Sequence, residues 1–179
     1  LALSAQVPGS RALLAHCGSL SKVLSPGLRV GWMIAPADLL ARATMCKQFS
    51  DAHTSTFAQA TAAQYLKAGR MPGTLAKVRA VYAERARTMG EALRTELGDA
   101  ISFSQPGGGL FFWARLTGAG GKVQDGNELA KRAIEKGVAF VPGTPFFASQ
   151  PDHATLRLSF ATADVAKIRE GVARLGQAL

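Results

Sequence analysis

Cysteine is scarce in this chain: Cys17 and Cys46 stand alone, in apolar surroundings and without CxxC spacing. That excludes a disulfide framework and a cysteine-built zinc site, and both read as small buried hydrophobes. The three histidines, His16, His53 and His153, are far apart and lack the HExxH spacing that puts two rings on one helix face, so no metal is expected. No apolar run reaches the ~18 residues of a membrane span, and LALSAQVPGSR has neither a basic head before an apolar run nor a small-residue cleavage site. The expectation is a cytoplasmic protein. Repeats and low-complexity tracts are absent, as are the GxxxxGK[ST] and strand-bound GxGxxG nucleotide loops.

Acidic residues are also few, 12 against 21 lysines and arginines, for a net charge of +9. Such a balance suits nucleic acid, an anionic membrane or small anionic ligands. Here the bases are scattered over helical patterns such as AKVRAVYAERARTM and ELAKRAIEKG, interleaved with acids and without aromatic stacking partners. They read as solvated helix faces rather than a nucleic-acid stripe. What the chain does have is apolar residue: 47% of 179 positions, enough for one ample core or two small ones.

ALLAHC (12–17) reads as a short buried strand and LRVGWMIAP (28–36) as a second, with SLSK in the loop between them. From Asp38 the period turns helical, with Leu39, Leu40, Ala43, Met45 and Phe49 on one stripe. Thr54 and Ser55 are N-cap candidates for a next helix through Leu66, which Ala68-Gly69 ends. After MPG, a long amphipathic helix is expected from Thr74 to Leu97, with Leu75, Val78, Tyr82, Met89, Leu93 and Leu97 inward and Gly98 as its stop. This helix is expected to link two domains. Beyond it ISFS, PGGGLFFWARL, VAFVPG and TLRLSF are strand-like, with helices near 126–136 and from about Asp164, which suggests a small α+β domain.

The chemistry concentrates in SLSKVLSPGLRVG (19–31). Arg29, between Leu28 and Val30 in the expected strand, must face water or meet an anion, because burying an unpaired guanidinium is very costly. Alone it reads as solvent-facing, and Lys22 alone as solvated. Together with the hydroxyls of Ser19 and Ser21 they form a phosphate-type donor set beside an amine that can be tuned toward Schiff-base chemistry.

GSLSKVLSPGLRVGW resembles the lysine segment of class I/II aminotransferases of the fold-type I pyridoxal phosphate superfamily. ADLLARATMCKQFSDAHTSTFAQ, QPGGGLFFWARL, GVAFVPGTPFF and TLRLSFAT are similar, in order, to later blocks of the branch that includes 2-aminoadipate and kynurenine aminotransferases. The resemblance implies an α/β fold: a remnant of the large cofactor domain over 1–70, carrying the Schiff-base lysine, then a linking helix and small α+β domain over 71–179. It implies that Lys22 bonds to pyridoxal phosphate and shuttles the substrate proton, that Ser19 and Arg29 grip the phosphate with Ser21 adding a hydroxyl, and that Arg157 binds the substrate carboxylate. Alternation of Leu156, Leu158 and Phe160 with Thr155, Arg157 and Ser159 independently puts Arg157 on a polar strand face, although solvent could equally face it. Gly108 and Gly109 match glycines that let backbone approach substrate, and serve equally as hairpin residues. The turn at 53–56 is similar to a segment facing the neighbouring subunit's site in family dimers, and equally a helix cap.

Family members carry roughly as much sequence again ahead of the lysine. The resemblance places there an aspartate for the pyridine nitrogen, an asparagine and tyrosine for the ring oxygen, a stacking aromatic and a glycine-containing phosphate turn. The chain is accordingly expected to be the C-terminal part of an enzyme that acts on amino and 2-oxo acids as a homodimer, and to be inactive by itself. Two rivals remain: the aminotransferase-like effector module of a winged-helix DNA-binding regulator, and a non-catalytic interaction module.

Overall fold

The computed structural model describes residues 6–122 and 124–179. Two compact units divide between Lys77 and Val78.

In the first unit, strand β1 (His16–Ser19) pairs antiparallel with β2 (Gly31–Ile34), His16 opposite Ile34 and Ser19 opposite Gly31. Both strands are shorter than the sequence pattern implies. Gly9, in the left-handed region, opens a single 3-10 turn over Ser10–Leu13, so β1 starts four residues later than expected. Pro26–Leu28 form another such turn, and Arg29 closes it at φ 54, ψ 35. Arg29 is therefore a left-handed turn residue rather than a strand residue: the Pro-Gly turn chemistry prevails over the apolar alternation of LRVGW. Gly18 is needed at its place, since a Cβ there would run into the Trp32 indole on the opposite strand.

Helix α1 (Ala37–Asp51) follows, then α2 (Thr56–Lys67), whose N-cap Ser55 accepts a hydrogen bond from Ala58 N at 3.4 Å as its residue type predicts. Gly69 at φ 67 ends α2. Ala58 and Ala62 are buried, and α2 lies against the Pro26–Leu28 turn. The α1 stripe is not buried: Leu39, Met45 and Phe49 are exposed, Phe49 by 84%. Cys17 and Cys46 are exposed as well, contrary to the expectation of buried hydrophobes. The helical period picks out the apolar face, but no second layer among the described residues covers it.

Helix α3 (Met71–Leu97) starts three residues before the expected Thr74, with Pro72 in its first turn, where a missing N–H costs nothing. At about 1.5 Å per residue it is roughly 40 Å long, and the division between the units falls inside it. Gly98 at φ 52 stops it.

The second unit builds a four-stranded sheet in the order β3 (Ile101–Phe103), β4 (Phe111–Leu116), β6 (Thr155–Ser159), β5 (Val141–Pro142), all neighbours antiparallel. VAFVPG contributes only two residues, because Pro142 brings no N–H and the strand sits at the sheet edge. Helices α4 (Gly126–Glu135) and α5 (Val165–Ala178) are capped by Asp125 and Asp164, whose carboxylates accept backbone N–H bonds at 2.7 Å from Asn127 and 2.8 Å from Lys167. One sheet face and three helices enclose the core: Met89, Leu93 and Leu97 of α3, Phe112, Ala114 and Leu116 of β4, Leu156 and Leu158 of β6, Leu129 of α4, and Val172 and Leu175 of α5. Phe112 stacks edge-on against Phe103 and Phe160 at 5.3 and 5.9 Å. No described helix is long and apolar enough to cross a membrane.

Candidate active site

The residues singled out in the sequence fall into two groups, one in each unit. In the first, Leu20 anchors the connection between β1 and β2. It is buried, its N–H bonds Val30 O at 3.0 Å, and its carbonyl accepts from the N–H groups of Val23, Leu24 and Ser25. That closed turn holds its neighbours outward. Ser21 N donates to Ser19 Oγ at 3.0 Å, Lys22 is exposed, and one terminal N–H of Arg29 reaches Pro26 O at 3.3 Å. Lys22 makes no hydrogen bond or ion pair with the described residues. No acidic side chain lies between Ser19 and Gly31. Two hydroxyls, a guanidinium and an amine without a partner among the described residues are the donor types that a phosphate ester carrying a carbonyl requires.

Arg29 lines a cavity of about 460 Å³ together with Asp51, His53, Thr54, Ser55 and Phe57. The turn singled out in the sequence for its histidine and hydroxyls thus shares a wall with Arg29, while Ser19, Ser21 and Lys22 do not line that cavity. The ring of His53 is held locally, its Nδ1 2.9 Å from Thr54 O.

In the second unit Arg157 stands on the sheet face turned away from the core, as the alternation of β6 requires: Leu156 and Leu158 are buried and Arg157 is half-buried between them. Thr155 departs from the alternation. It is buried too, its hydroxyl donating to Asp152 O at 2.6 Å. The Arg157 guanidinium carbon lies 4.3 Å from the ring centre of Phe111 and 4.6 Å from that of Phe146. Among the described residues its buried Nε has no hydrogen-bond partner and no carboxylate pairs with the guanidinium. An N–H of a charged group that has lost water without gaining an acceptor is an unsatisfied donor, an arrangement suited to receiving an anion.

Gly108 and Gly109 lie on the connection between β3 and β4, where Gly109 takes φ 82, a conformation L-residues rarely adopt. With Arg79, Tyr82, Gln105 and Phe160 they line a cavity of about 490 Å³ that Arg157 does not line. Phe111 and Phe146, the two rings at Arg157, are not among the residues that the sequence singles out. For Phe111 a signal is present: in PGGGLFFWARL, alternation places Phe111 and Trp113 together on the face opposite Phe112. Phe146 comes from a loop after β5 and leaves no periodic trace. No group of three or more potential metal ligands occurs among the described residues.

Known proteins with similar sequence and structure give the family. The model "Aminotransferase class I and II" matches residues 3–175. The chain is 43% identical over its whole length to a 2-aminoadipate transaminase of Thermus thermophilus, covering 43% of that protein. It is 33% identical over 92% of its length to the HTH-type transcriptional regulator TauR of Rhodobacter capsulatus, covering 33% of it. The crystal structure of LysN, an alpha-aminoadipate aminotransferase from Thermus thermophilus complexed with N-(5'-phosphopyridoxyl)-L-leucine, superposes with a TM-score of 0.87 at 42% identity, over 99% of this chain and 43% of that one. The chain thus spans less than half the length of these relatives and has the fold of the matching part of a fold-type I aminotransferase. With a family model covering nearly every residue, it belongs to the class I and II aminotransferases.

Proposed function

We propose that the protein carrying this chain is a pyridoxal-phosphate-dependent aminotransferase that moves the amino group of an L-amino acid to a 2-oxo acid. The observation that carries the reading to the site is the Arg157 guanidinium, over two aromatic rings, with a buried Nε that has no acceptor among the described residues. Arg157 receives the substrate carboxylate as a bidentate pair and so sets which way the α-carbon faces. Lys22 Nζ, without a partner among the described residues, holds the cofactor and passes the proton to and from the substrate α-carbon. Ser19, Ser21 and Arg29 bind the phosphate, and the glycine turn at Gly108 and Gly109 gives backbone access to the substrate. The cofactor supplies an electron sink for the pair released at the α-carbon. The complete protein acts in the cytoplasm as a homodimer, with the turn at 53–56 facing its partner.

Because the TauR relative is a regulator, a second reading survives: an effector module that binds the cofactor to control a DNA-binding domain. A transamination assay on the full-length protein separates the two. With L-2-aminoadipate as the first donor and 2-oxoglutarate as acceptor, the enzyme reading predicts turnover that Lys22→Ala lowers by at least about a thousandfold. Absence of turnover with every common L-amino acid, in a protein that binds pyridoxal phosphate, would favour the regulator.

A further inference from the structure

We infer that Phe111 and Phe146 are positioning residues for carboxylate recognition, clamping the Arg157 guanidinium so that it receives a carboxylate in one fixed plane. This rests on the reading of Arg157 as the carboxylate site.

The register builds the clamp. Arg157 on β6 lies opposite Trp113 on β4 and Val141 on β5, while Phe111 lies opposite Ser159. Phe111 is thus the diagonal neighbour of Arg157 on the same sheet face, a spacing within reach of a ring and a long side chain. Phe146 arrives from the single turn Thr144–Phe146 after β5. The guanidinium carbon lies over both rings, 4.3 Å from the centre of Phe111 and 4.6 Å from that of Phe146, so one cation is shared by two aromatic faces. Trp113 meets Phe146 edge-on at 5.7 Å and Phe147 at a tilt at 6.1 Å, so Phe146 is held by a second ring as well as by the cation. Among the described residues no carboxylate pairs with Arg157.

A guanidinium is planar and rigid, so two rings held over its carbon restrict its rotation and fix the direction in which it offers its N–H groups. They also supply a low-dielectric surround in which a charge-assisted pair is stronger than in water. These rings are exposed by 38% and 49%, more than core packing would leave them, and neither belongs to the core cluster. Their place is explained by the cation they share.

The test uses the full-length holoenzyme and titrates 4-methylpentanoate, a carboxylate with no amino or oxo group to react, by calorimetry. Phe111→Leu and Phe146→Leu are each expected to weaken binding about tenfold, and Phe→Tyr at either position to restore it to within about twofold. In turnover the leucine variants should raise KM by a similar factor and leave kcat within about threefold, since the clamp acts on binding. Leucine variants that bind like the wild type, while Arg157→Ala abolishes binding, would overturn the clamp and leave the carboxylate site standing. Wild-type binding by Arg157→Ala would overturn both. Weak binding by the tyrosine variants too would mean that the rings act only by packing, and would also overturn the clamp.

Discussion

The stretch up to Lys77 and the stretch from Val78 onward contain comparable helices, yet they bury very different amounts of apolar surface. Among the described residues every buried apolar side chain except Leu20, Ala58 and Ala62 belongs to the second unit. There α3, α4, α5 and one sheet face close around Leu93, Phe112, Leu129 and Leu156, each fully buried. In the first unit α1 buries nothing and β1 pairs with β2 alone. Two strands without a covering layer are marginal in water. The proposed carboxylate site therefore rests on a scaffold with its own core, whereas the lysine loop rests on a local turn anchored, among the described residues, by Leu20 alone. The chain spans 43% of the 2-aminoadipate transaminase.

Truncation of large side chains puts the contrast to its hardest trial. Phe112→Ala or Leu93→Ala should cost about 3–5 kcal/mol in urea unfolding of this chain, the range for emptying a packed core site. Phe49→Ala, at a residue 84% exposed, should shift the same transition by less than about 0.5 kcal/mol. Equal effects would erase the distinction between the units.

Helix caps probe the same distinction at a smaller scale. Removing the Asp164 cap with Asp164→Ala should lower stability by about 1 kcal/mol, because α5 is part of the cooperative core. Ser55→Ala removes the cap of α2 and should leave the main unfolding transition in place, with faster amide exchange confined to α2.

Acid gives the smallest effect. Asp125 is held below the usual carboxylate value chiefly by the backbone N–H of Asn127, and Asp152 chiefly by its bond to the Arg115 guanidinium. A carboxylate whose folded pKa is depressed contributes stability that is present above its unfolded value of 3.8 and lost as pH falls through the lower folded value. The second unit should therefore lose a small amount of stability from just above pH 4 downward. The double variant Asp125→Asn, Asp152→Asn should flatten that acid limb in thermal melts, and an unchanged limb would assign it to other groups.

Helices and the second sheet are legible in the sequence because their periods are long and their caps and stops explicit: Ser55, Gly69, Gly98, Asp164. Arg29 departs from its expected strand because a Pro-Gly turn hides inside an apolar run, and its left-handed backbone leaves no trace in hydropathy. Cys17, Cys46 and the α1 stripe are less buried than expected for another reason: periodicity reports which face is apolar, and a partner layer decides whether it is covered. At the site, the residue types of Ser19, Ser21, Lys22, Arg29 and Arg157 are all legible. Phe146 is not, since it meets Arg157 only through the tertiary placement of a loop.

Whether Lys22 is the residue that holds the cofactor is decided by titrating the full-length protein with pyridoxal phosphate, reducing it with borohydride and mapping the labelled peptide. Saturable labelling on Lys22 is expected, with Lys47 and Lys67 unmodified. Label spread over surface lysines, or a saturable label on a lysine other than Lys22, would contradict that role.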